Sequence, residues 1–552
     1  MKKSSSSKSK TIVARSHLSP RTAIPFLLLS VFALQSLWFI QTQSLTYDEP
    51  AHIIAGIDAW QHGRLEKWND HPPLGRLWLT LPLARVDSQF AWQKLPTGYR
   101  VMAMQPVPEV LALRTRLMNA VLGLTLGIAL WFAARRLFSV GTANVALALF
   151  VFTPSLIAHF SVATTDGIGT LFIFLTAFQL VRWRHRPNWP QTALMGLVLG
   201  GLLLAKFYAP PLVLLALALM LVLKPEGVAR RPTQWNWKLA LAALALALVT
   251  LWAGYFFHIS HLKVGDGKVV ATFPNRTEKT WATKASLHVS AYVPAGEFFE
   301  GLREVAFSNK HGRPAWFLGK IYPTGGIKTY YPVAIVLKWP TALLVLLLAS
   351  LLMGVRKTCR NSSDLVAMCA FGLVFFFFAI QSKYDIGERH ILPLYPFALL
   401  IAGAIWEHVK ARRTAMIFLV LLLGLNAADA LRCAPDYLTY FNVLVKPSNS
   451  WRYLTDSNLD WGQGLIALRE YELKHPQETV RLAYFGSVEP SLYGVRAVPL
   501  APAERVPGTV VAGASILSGQ VLTDPDGYRW LLSYPPKQMI DRSMFVFDTR
   551  RK

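Results

Sequence analysis

Apolar stretches of about the length a bilayer demands recur along the chain as far as residue 431, each closed off by a short polar or basic connection. Roughly 20 mostly apolar residues carry a helix across hydrocarbon. The stretches fall near 23–43, 109–134, 142–160, 168–183, 191–207, 209–223, 238–257, 334–354, 364–381, 390–407 and 414–431. None alternates with period two as a barrel strand would, and inside lipid every backbone group must bond within its own segment, so all are predicted as helices. The pattern predicts a mostly α, polytopic membrane protein with about eleven transmembrane helices. The first stretch is too long for a secretory signal core and no small-residue cleavage site follows it, so it reads as an uncleaved first span.

Charge orients this map. With the basic tail 1–22 in the cytoplasm, the connections expected inside are 135–136, 182–186, 224–231, 356–360 and 410–413, and each carries Lys or Arg, as the positive-inside rule requires. The outer face receives 45–108, 161–167, the turn at Lys206, 258–333, 382–389 and everything beyond the last helix. Three regions follow: the tail 1–22, a membrane domain 23–431 with outer loops 45–108 and 258–333, and an extracytoplasmic domain 432–552. The last is polar and turn-rich, with apolar stretches at 481–485 and 543–547 that read as strands, so a small α/β domain is expected there. A hydrophobic content of 53% against 16% charged residues agrees with a chain that lives mostly in lipid. The net charge of +26 is carried by the short basic connections, so membrane lipids are expected as partners and nucleic acid is not. Cys359, Cys369 and Cys433 are scattered and suggest no disulfide framework.

Residues capable of chemistry gather on the outer connections. Directly after the first stretch comes Thr46-Tyr47-Asp48-Glu49-Pro50-Ala51-His52, two carboxylates and an imidazole where burying charge is costly. Either the pair has a chemical task or it is an ordinary acidic cap at the start of the next helix. Further along lies Asn69-Asp70-His71-Pro72-Pro73-Leu74-Gly75-Arg76, whose double proline fixes the backbone beside His71 or simply ends an interfacial helix. Lys206, Arg389, His390 and His71 fall on the outer side and are the candidate cations for a phosphate. Arg389 opens a predicted helix whose N-terminal dipole also favours an anion. Lys206 has a second reading, a snorkelling amine. Asp166, in Ala163-Thr164-Thr165-Asp166-Gly167, is either a second acidic group of the site or a helix N-cap.

Asp48-Glu49 with His52 three positions on, followed by His71-Pro72-Pro73-Leu74 in the same connection, resembles the protein O-mannosyltransferases and their bacterial relatives, the phospholipid carrier-dependent glycosyltransferases. More loosely it is similar to the lipid A aminoarabinose transferases. Later segments extend the resemblance over about 45–465: His311-Gly312-Arg313-Pro314-Ala315-Trp316, Tyr330-Tyr331-Pro332 with Lys338, Gly387-Glu388-Arg389-His390, and Ser457-Asn458-Leu459-Asp460-Trp461-Gly462-Gln463. The resemblance implies a GT-C fold and transfer of a sugar, a hexose such as mannose or a pentose, from a polyprenyl-phosphate-linked donor. It makes Asp48 the general base of an inverting reaction, with Glu49, His52 and Asp70 shaping the acceptor and sugar pockets. Loop 258–333 is too short for the added sugar-binding-like domain of the eukaryotic members. Glycolipid, polysaccharide and protein stay open as acceptors.

The expected location is a bacterial inner (plasma) membrane, with the active site on the extracytoplasmic side. No cofactor is implied beyond the lipid-linked donor; a divalent metal is compatible with the carboxylates, but no zinc-ligand spacing is present and none is expected to be tightly bound. The competing class is a transporter or lipid flippase, which would place polar groups at mid-membrane on broken helices rather than on one face.

Overall fold

The computed structural model describes residues 20–65, 69–94, 100–223, 234–265, 268–272 and 289–550. The basic tail as far as residue 19 and the basic connection 224–231 lie outside the described residues.

The apolar stretches fold as helices, cut where proline or charge cuts them. α1 (Pro20–Thr42) leads to α2 (Glu49–His62) and α3 (Pro73–Thr80), both opened by proline in the first turn, where the missing backbone donor costs nothing. α4 (Pro108–Leu137) is followed by α5 (Val140–Val151), capped by the Ser139 hydroxyl, and by the short α6 (Pro154–His159). The stretch 142–160 is therefore two helices and not one, because Pro154 lacks the backbone donor that would continue α5. Then come α7 (Asp166–His185), α8 (Trp189–Ala205), α9 (Ala209–Val222) and α10 (Gln234–Gly254). α8 lies against α10 through small residues: a Cβ on Gly196 would stand 2.8 Å from the Ala243 carbonyl oxygen, so only glycine permits this approach. α11 (Gly296–His311), α12 (Tyr330–Lys338), α13 (Thr341–Leu352), α14 (Ser362–Ala379), α15 (Tyr395–Gly403), α16 (Ile405–Val409) and α17 (Arg413–Cys433) complete the helical part.

Among the described residues, six helical segments are long and apolar enough to cross a membrane: Ala23–Thr42, α4, Trp237–Gly254, α14, Glu388–Val409 and α17. α12 and α13 pass only as a pair, bent by 110° at Trp339-Pro340, which would make a seventh. The other expected spans are shorter apolar helices, α5, α8 and α9, or α7, whose ends carry Asp166, Arg182 and Arg184. This is the character of a multi-pass membrane protein.

Two hairpins and a three-stranded sheet decorate the helices. β1 (Gln89–Lys94) pairs with β2 (Arg100–Gln105), β3 (Ile259–Gly265) lies between β4 (Lys268–Thr272) and β5 (Val289–Pro294), and β6 (Ala315–Phe317) pairs with β7 (Lys320–Tyr322). After α17 the chain forms α18 (Leu465–Lys474) and a five-stranded sheet. Its strands are β8 (Val480–Ala483), β9 (Val498–Pro499), β10 (Thr509–Gly513), β11 (Pro536–Ile540) and β12 (Met544–Asp548), in the order β11-β12-β10-β8-β9. The neighbours β9, β8 and β10 run parallel, and β12 and β11 are antiparallel to their partners.

This sheet is not a loose appendage. Leu45, Ile53 and Ile57 of the connection after α1 share one buried apolar cluster with Leu465, Leu482, Val511 and Val546. Backbone bonds reinforce it: Ser44 N donates to Gln463 O at 2.9 Å and Tyr47 N to Trp461 O at 2.8 Å. The two ends of the sequence thus meet around Asp48. All three cysteines are free.

Candidate active site

Asp48 and Glu49 are neighbours in sequence with opposite surroundings. About 100° separates consecutive side chains where a helix begins, and here one turns inward and one out. Glu49 is fully buried, and Arg116 of α4 grips both of its oxygens at 2.8 and 2.7 Å. The same oxygens accept from Thr46 N and Ala163 N, each at 2.6 Å. Arg116 directs its remaining donors to the Gln43 and Ser44 carbonyls, at 2.6 and 2.7 Å. A buried pair is tolerable only when saturated in this way. Glu49, expected to shape a pocket, is engaged by four donors that tie the start of α2 to α4 and to the turn before α7.

Asp48 stands at the N-cap position of α2 but makes no capping hydrogen bond to it. Its carboxylate, 31% exposed, faces Arg389 at 2.9 Å. Arg389 sits in the 3-10 segment Glu388–Leu394 just ahead of α15. Its guanidinium lies 4.2 Å over the Trp461 ring, donates from Nε to the Ser457 hydroxyl at 3.1 Å, and reaches Asp166 at 3.5 Å. A Cβ on Gly387 would collide with that same Ser457 hydroxyl, so glycine is what lets the two segments close. Asp166 is the first residue of α7, not its N-cap, which is Thr165, and the helix dipole favours a carboxylate there. Lys206, at the end of α8, donates to Asp166 at 2.7 Å and is only 6% exposed, so it does not snorkel. Asp48, Arg389, Asp166 and Lys206 form one chain of alternating charge.

A second group flanks it. The rings of His52 and His71 lie 5.3 Å apart, and Arg76 of α3 donates to His52 Nδ1 at 3.3 Å and to Asp70 at 2.6 Å. Burial, reinforced by Arg76, holds His52 well below the ordinary imidazole range; burial, reinforced by Lys206 and Arg76, does the same to His71. Both are neutral imidazoles at neutral pH, so His71 meets a ligand as a hydrogen-bonding group and not as the cation expected. Burial would raise the Asp70 carboxyl, but Arg76 outweighs it and keeps the group below the usual range. His390 has a buried Nε2 with no hydrogen-bond partner among the described residues, and so do His159 Nδ1 and the hydroxyls of Ser161, Thr164 and Thr165. Orphaned buried polar atoms of this kind mark where water or a ligand is accommodated.

One residue absent from the sequence reading, Asp456, and several quoted there only as marks of the resemblance, with no role given, belong to the same neighbourhood. Asp456 takes a left-handed backbone (φ 57°) and accepts from Ser457 N at 2.7 Å. Burial pushes its carboxyl up to about 7; Arg389 opposes this and Asp48 adds to it. Asp460 is likewise pushed up to about 7 by burial while it accepts from Ser515 N at 2.9 Å. Trp461 and Ser457 hold Arg389 directly. The polar run Thr455-Asp456-Ser457-Asn458 was the available signal. Lys338 is absorbed by the scaffold, donating to the Leu438 and Asn458 carbonyls at 3.1 and 2.7 Å and lying 3.6 Å from Glu388. No group of three or more His, Cys, Asp or Glu side chains able to hold a metal occurs among the described residues.

The sequence profile of the dolichyl-phosphate-mannose-protein mannosyltransferases matches residues 109–253, from α4 to α10, a stretch that includes Asp166 and Lys206. This bears out the resemblance to the carrier-dependent glycosyltransferases. No curated protein matches the chain. Solved structures that match include ArnT from Cupriavidus metallidurans bound to undecaprenyl phosphate, with 12% identity, a TM-score of 0.48, and coverage of 96% of this chain and 98% of that one. The protein O-mannosyltransferase Pmt1-Pmt2 complex of S. cerevisiae bound to the sugar donor matches with 11% identity, a TM-score of 0.47 and coverage of 74% and 90%. The oligosaccharyltransferase AglB from Archaeoglobus fulgidus, in complex with an inhibitory peptide and a dolichol-phosphate, matches with 11% identity, a TM-score of 0.45 and coverage of 89% and 70%.

Proposed function

We propose that this chain is an inverting glycosyltransferase of GT-C type that moves a sugar from a polyprenyl-phosphate-linked donor to an acceptor hydroxyl on the outer face of a bacterial inner membrane. The observation that carries the reading is the contact of the Asp48 carboxylate with Arg389 at 2.9 Å, beside the Arg389–Asp166–Lys206 chain. It sets a base and two cations at one place. Glycosyl transfer from a phosphate needs both: a carboxylate to take the acceptor's proton and cations to receive the departing phosphate's charge.

In the reaction, the acceptor oxygen bonds to the anomeric carbon from the face opposite the phosphate, and the bond from that carbon to the phosphate oxygen breaks. The hydroxyl proton passes to Asp48, and the electron pair leaves with the polyprenyl phosphate, held by Arg389 and Lys206. Arg389 Nη1 is the atom that Asp48 contacts. A donor phosphate competes for it, so donor binding frees the carboxylate for its proton. Asp166 keeps the two cations apart and aimed. His52 and His71, both neutral, hydrogen-bond the sugar, Asp70 steadies Arg76 behind them, and His390 offers its unpartnered Nε2 to the same ligand. Glu49 acts through the backbone of Asp48.

The sugar is a hexose such as mannose, or a pentose; the acceptor is a glycolipid, a polysaccharide or a protein hydroxyl, and no tightly bound metal is expected. On this reading about eleven helices in 23–431 cross the bilayer, the tail 1–22 is cytoplasmic and 432–552 is an extracytoplasmic domain that closes over the site. The test is mass spectrometry of glycolipids and surface polymers from cells carrying the wild-type or the Arg389→Ala gene, at equal protein levels. Loss of one sugar substituent, with its polyprenyl-phosphate donor accumulating, is expected. Identical envelope glycans in the two strains would overturn the reading.

A further inference from the structure

α7 carries Asp166 at one end and, sixteen residues on, Arg182 in its last turn; at 1.5 Å per residue the two are about 24 Å apart. At the Arg182 end, away from the charge chain, a cavity of about 790 Å³ opens between α4, α7 and the turn leading into α14. Arg135 and Arg136 of α4, Arg182 of α7 and Arg360 of that turn line it, together with Phe132 and Phe178. We infer that this cavity holds the phosphate of an anionic phospholipid, with the acyl chains running over Phe132 and Phe178.

The positive-inside rule accounts for the sign of this end but not for the cavity, since arginines satisfy that rule pointing anywhere into water. Here three separate elements bring four arginines to the lining of one space. The arrangement is fixed: Arg360 N donates to the Leu137 carbonyl at 2.9 Å, pinning the turn to the end of α4, and the Asn361 side chain caps α14 at Ser363 N. The one carboxylate in the lining, Asp364, is already committed to Arg184 and His185, each at 2.6 Å. Arg135, Arg136, Arg182 and Arg360 have no acidic partner among the described residues. Like charges concentrated without a counter-charge repel one another, and an anion removes that cost. Phe132 is 49% exposed beside them, which a soluble phosphate would leave uncovered and a lipid would not. The depth fits as well: a helix of 20 residues is about as long as the hydrocarbon is thick, so with Asp166 at one interface the arginines reach the headgroups of the other. The inference rests on the multi-pass character of the chain and is independent of the transfer chemistry.

The test is native mass spectrometry of the full-length protein in detergent, offered phosphatidylglycerol or phosphatidylcholine with matched acyl chains. The wild type is expected to retain phosphatidylglycerol preferentially, the R136A/R182A/R360A variant to lose that preference roughly tenfold or more, and the corresponding lysine variant to keep most of it. Transfer activity in phosphatidylcholine nanodiscs should be the same in all three. Equal retention of the two lipids by the wild type overturns the inference without any variant being needed. So does undiminished phosphatidylglycerol binding by the alanine variant, or displacement of the lipid by inorganic phosphate at matched ionic strength, which would mark a site for soluble phosphates.

Discussion

The two ends of α7 treat charge in opposite ways. Around Asp166 the ionic side chains are paired within the protein and all but the partly exposed Asp48 are buried: Asp48 with Arg389, Asp166 with Lys206, Glu49 with Arg116. Around Arg182, the four arginines Arg135, Arg136, Arg182 and Arg360 are exposed and have no acidic partner among the described residues. Buried pairs are costly to assemble and are retained where geometry matters, whereas exposed cations cost little and tolerate change. On the reading proposed above, the difference separates an end that does chemistry from an end that sets orientation and meets lipid, and it makes the consequences of substitution unequal.

The largest effect belongs to Glu49. Replacement by alanine strands the Arg116 guanidinium in a fully buried place, and breaking such a pair costs about 3–5 kcal/mol. Thermal unfolding in detergent should show a sharply lowered midpoint or loss of folded protein; an unchanged midpoint would mean that Glu49 is not the strut described. Arg389→Ala comes next. Charged hydrogen bonds of this kind contribute about 1.5–3 kcal/mol, so donor affinity should fall by one to two orders of magnitude, with lysine restoring only part because it lacks the planar fork. Equilibrium binding of a polyprenyl-phosphate sugar measures this, and unchanged affinity would move the phosphate site elsewhere.

Asp456 gives a smaller, pH-dependent effect. Burial lifts its carboxyl from 3.8 to about 7, so between these values the folded chain keeps a proton that the unfolded chain has released. Its contribution to stability therefore falls as pH rises through that interval, by at most about 1.4 kcal/mol per pH unit. Asparagine suits the same left-handed backbone and does not titrate. Asp456→Asn should remove this part of the slope of melting temperature against pH, and an unaltered slope would contradict the burial argument. Smallest of all is Arg182→Gln at the basic end, expected within about 0.5 kcal/mol of the wild type. A large loss of stability there would erase the contrast between the two ends.

Hydropathy made the helical character and most of the helix positions legible, because period and length are local properties. It failed where a local event interrupts an apolar run: the break before Pro154, and the 110° bend at Trp339-Pro340. Asp48, Asp166, Lys206 and Arg389 were each nameable from position, but their joining was not, since hydropathy carries no information about contacts between residues as distant in sequence as Asp48 and Arg389. Glu49 misled for the same reason: its partner Arg116 lies inside an apolar helix, where it reads as an incidental charge. Asp456 was missed because its raised carboxyl comes from burial among segments far from it in sequence, which no local pattern announces.

The central claim is that Asp48 accepts the acceptor's proton, and Asp48→Asn tests it most directly. The amide keeps nearly the same shape and releases Arg389, so folding and donor binding should be intact or donor binding slightly tighter. General-base catalysis is typically worth about 10²–10⁴-fold in rate, so transfer from a polyprenyl-phosphate sugar in purified membranes should fall by about that factor. Near-normal turnover by this variant, with donor binding intact, would contradict the mechanism.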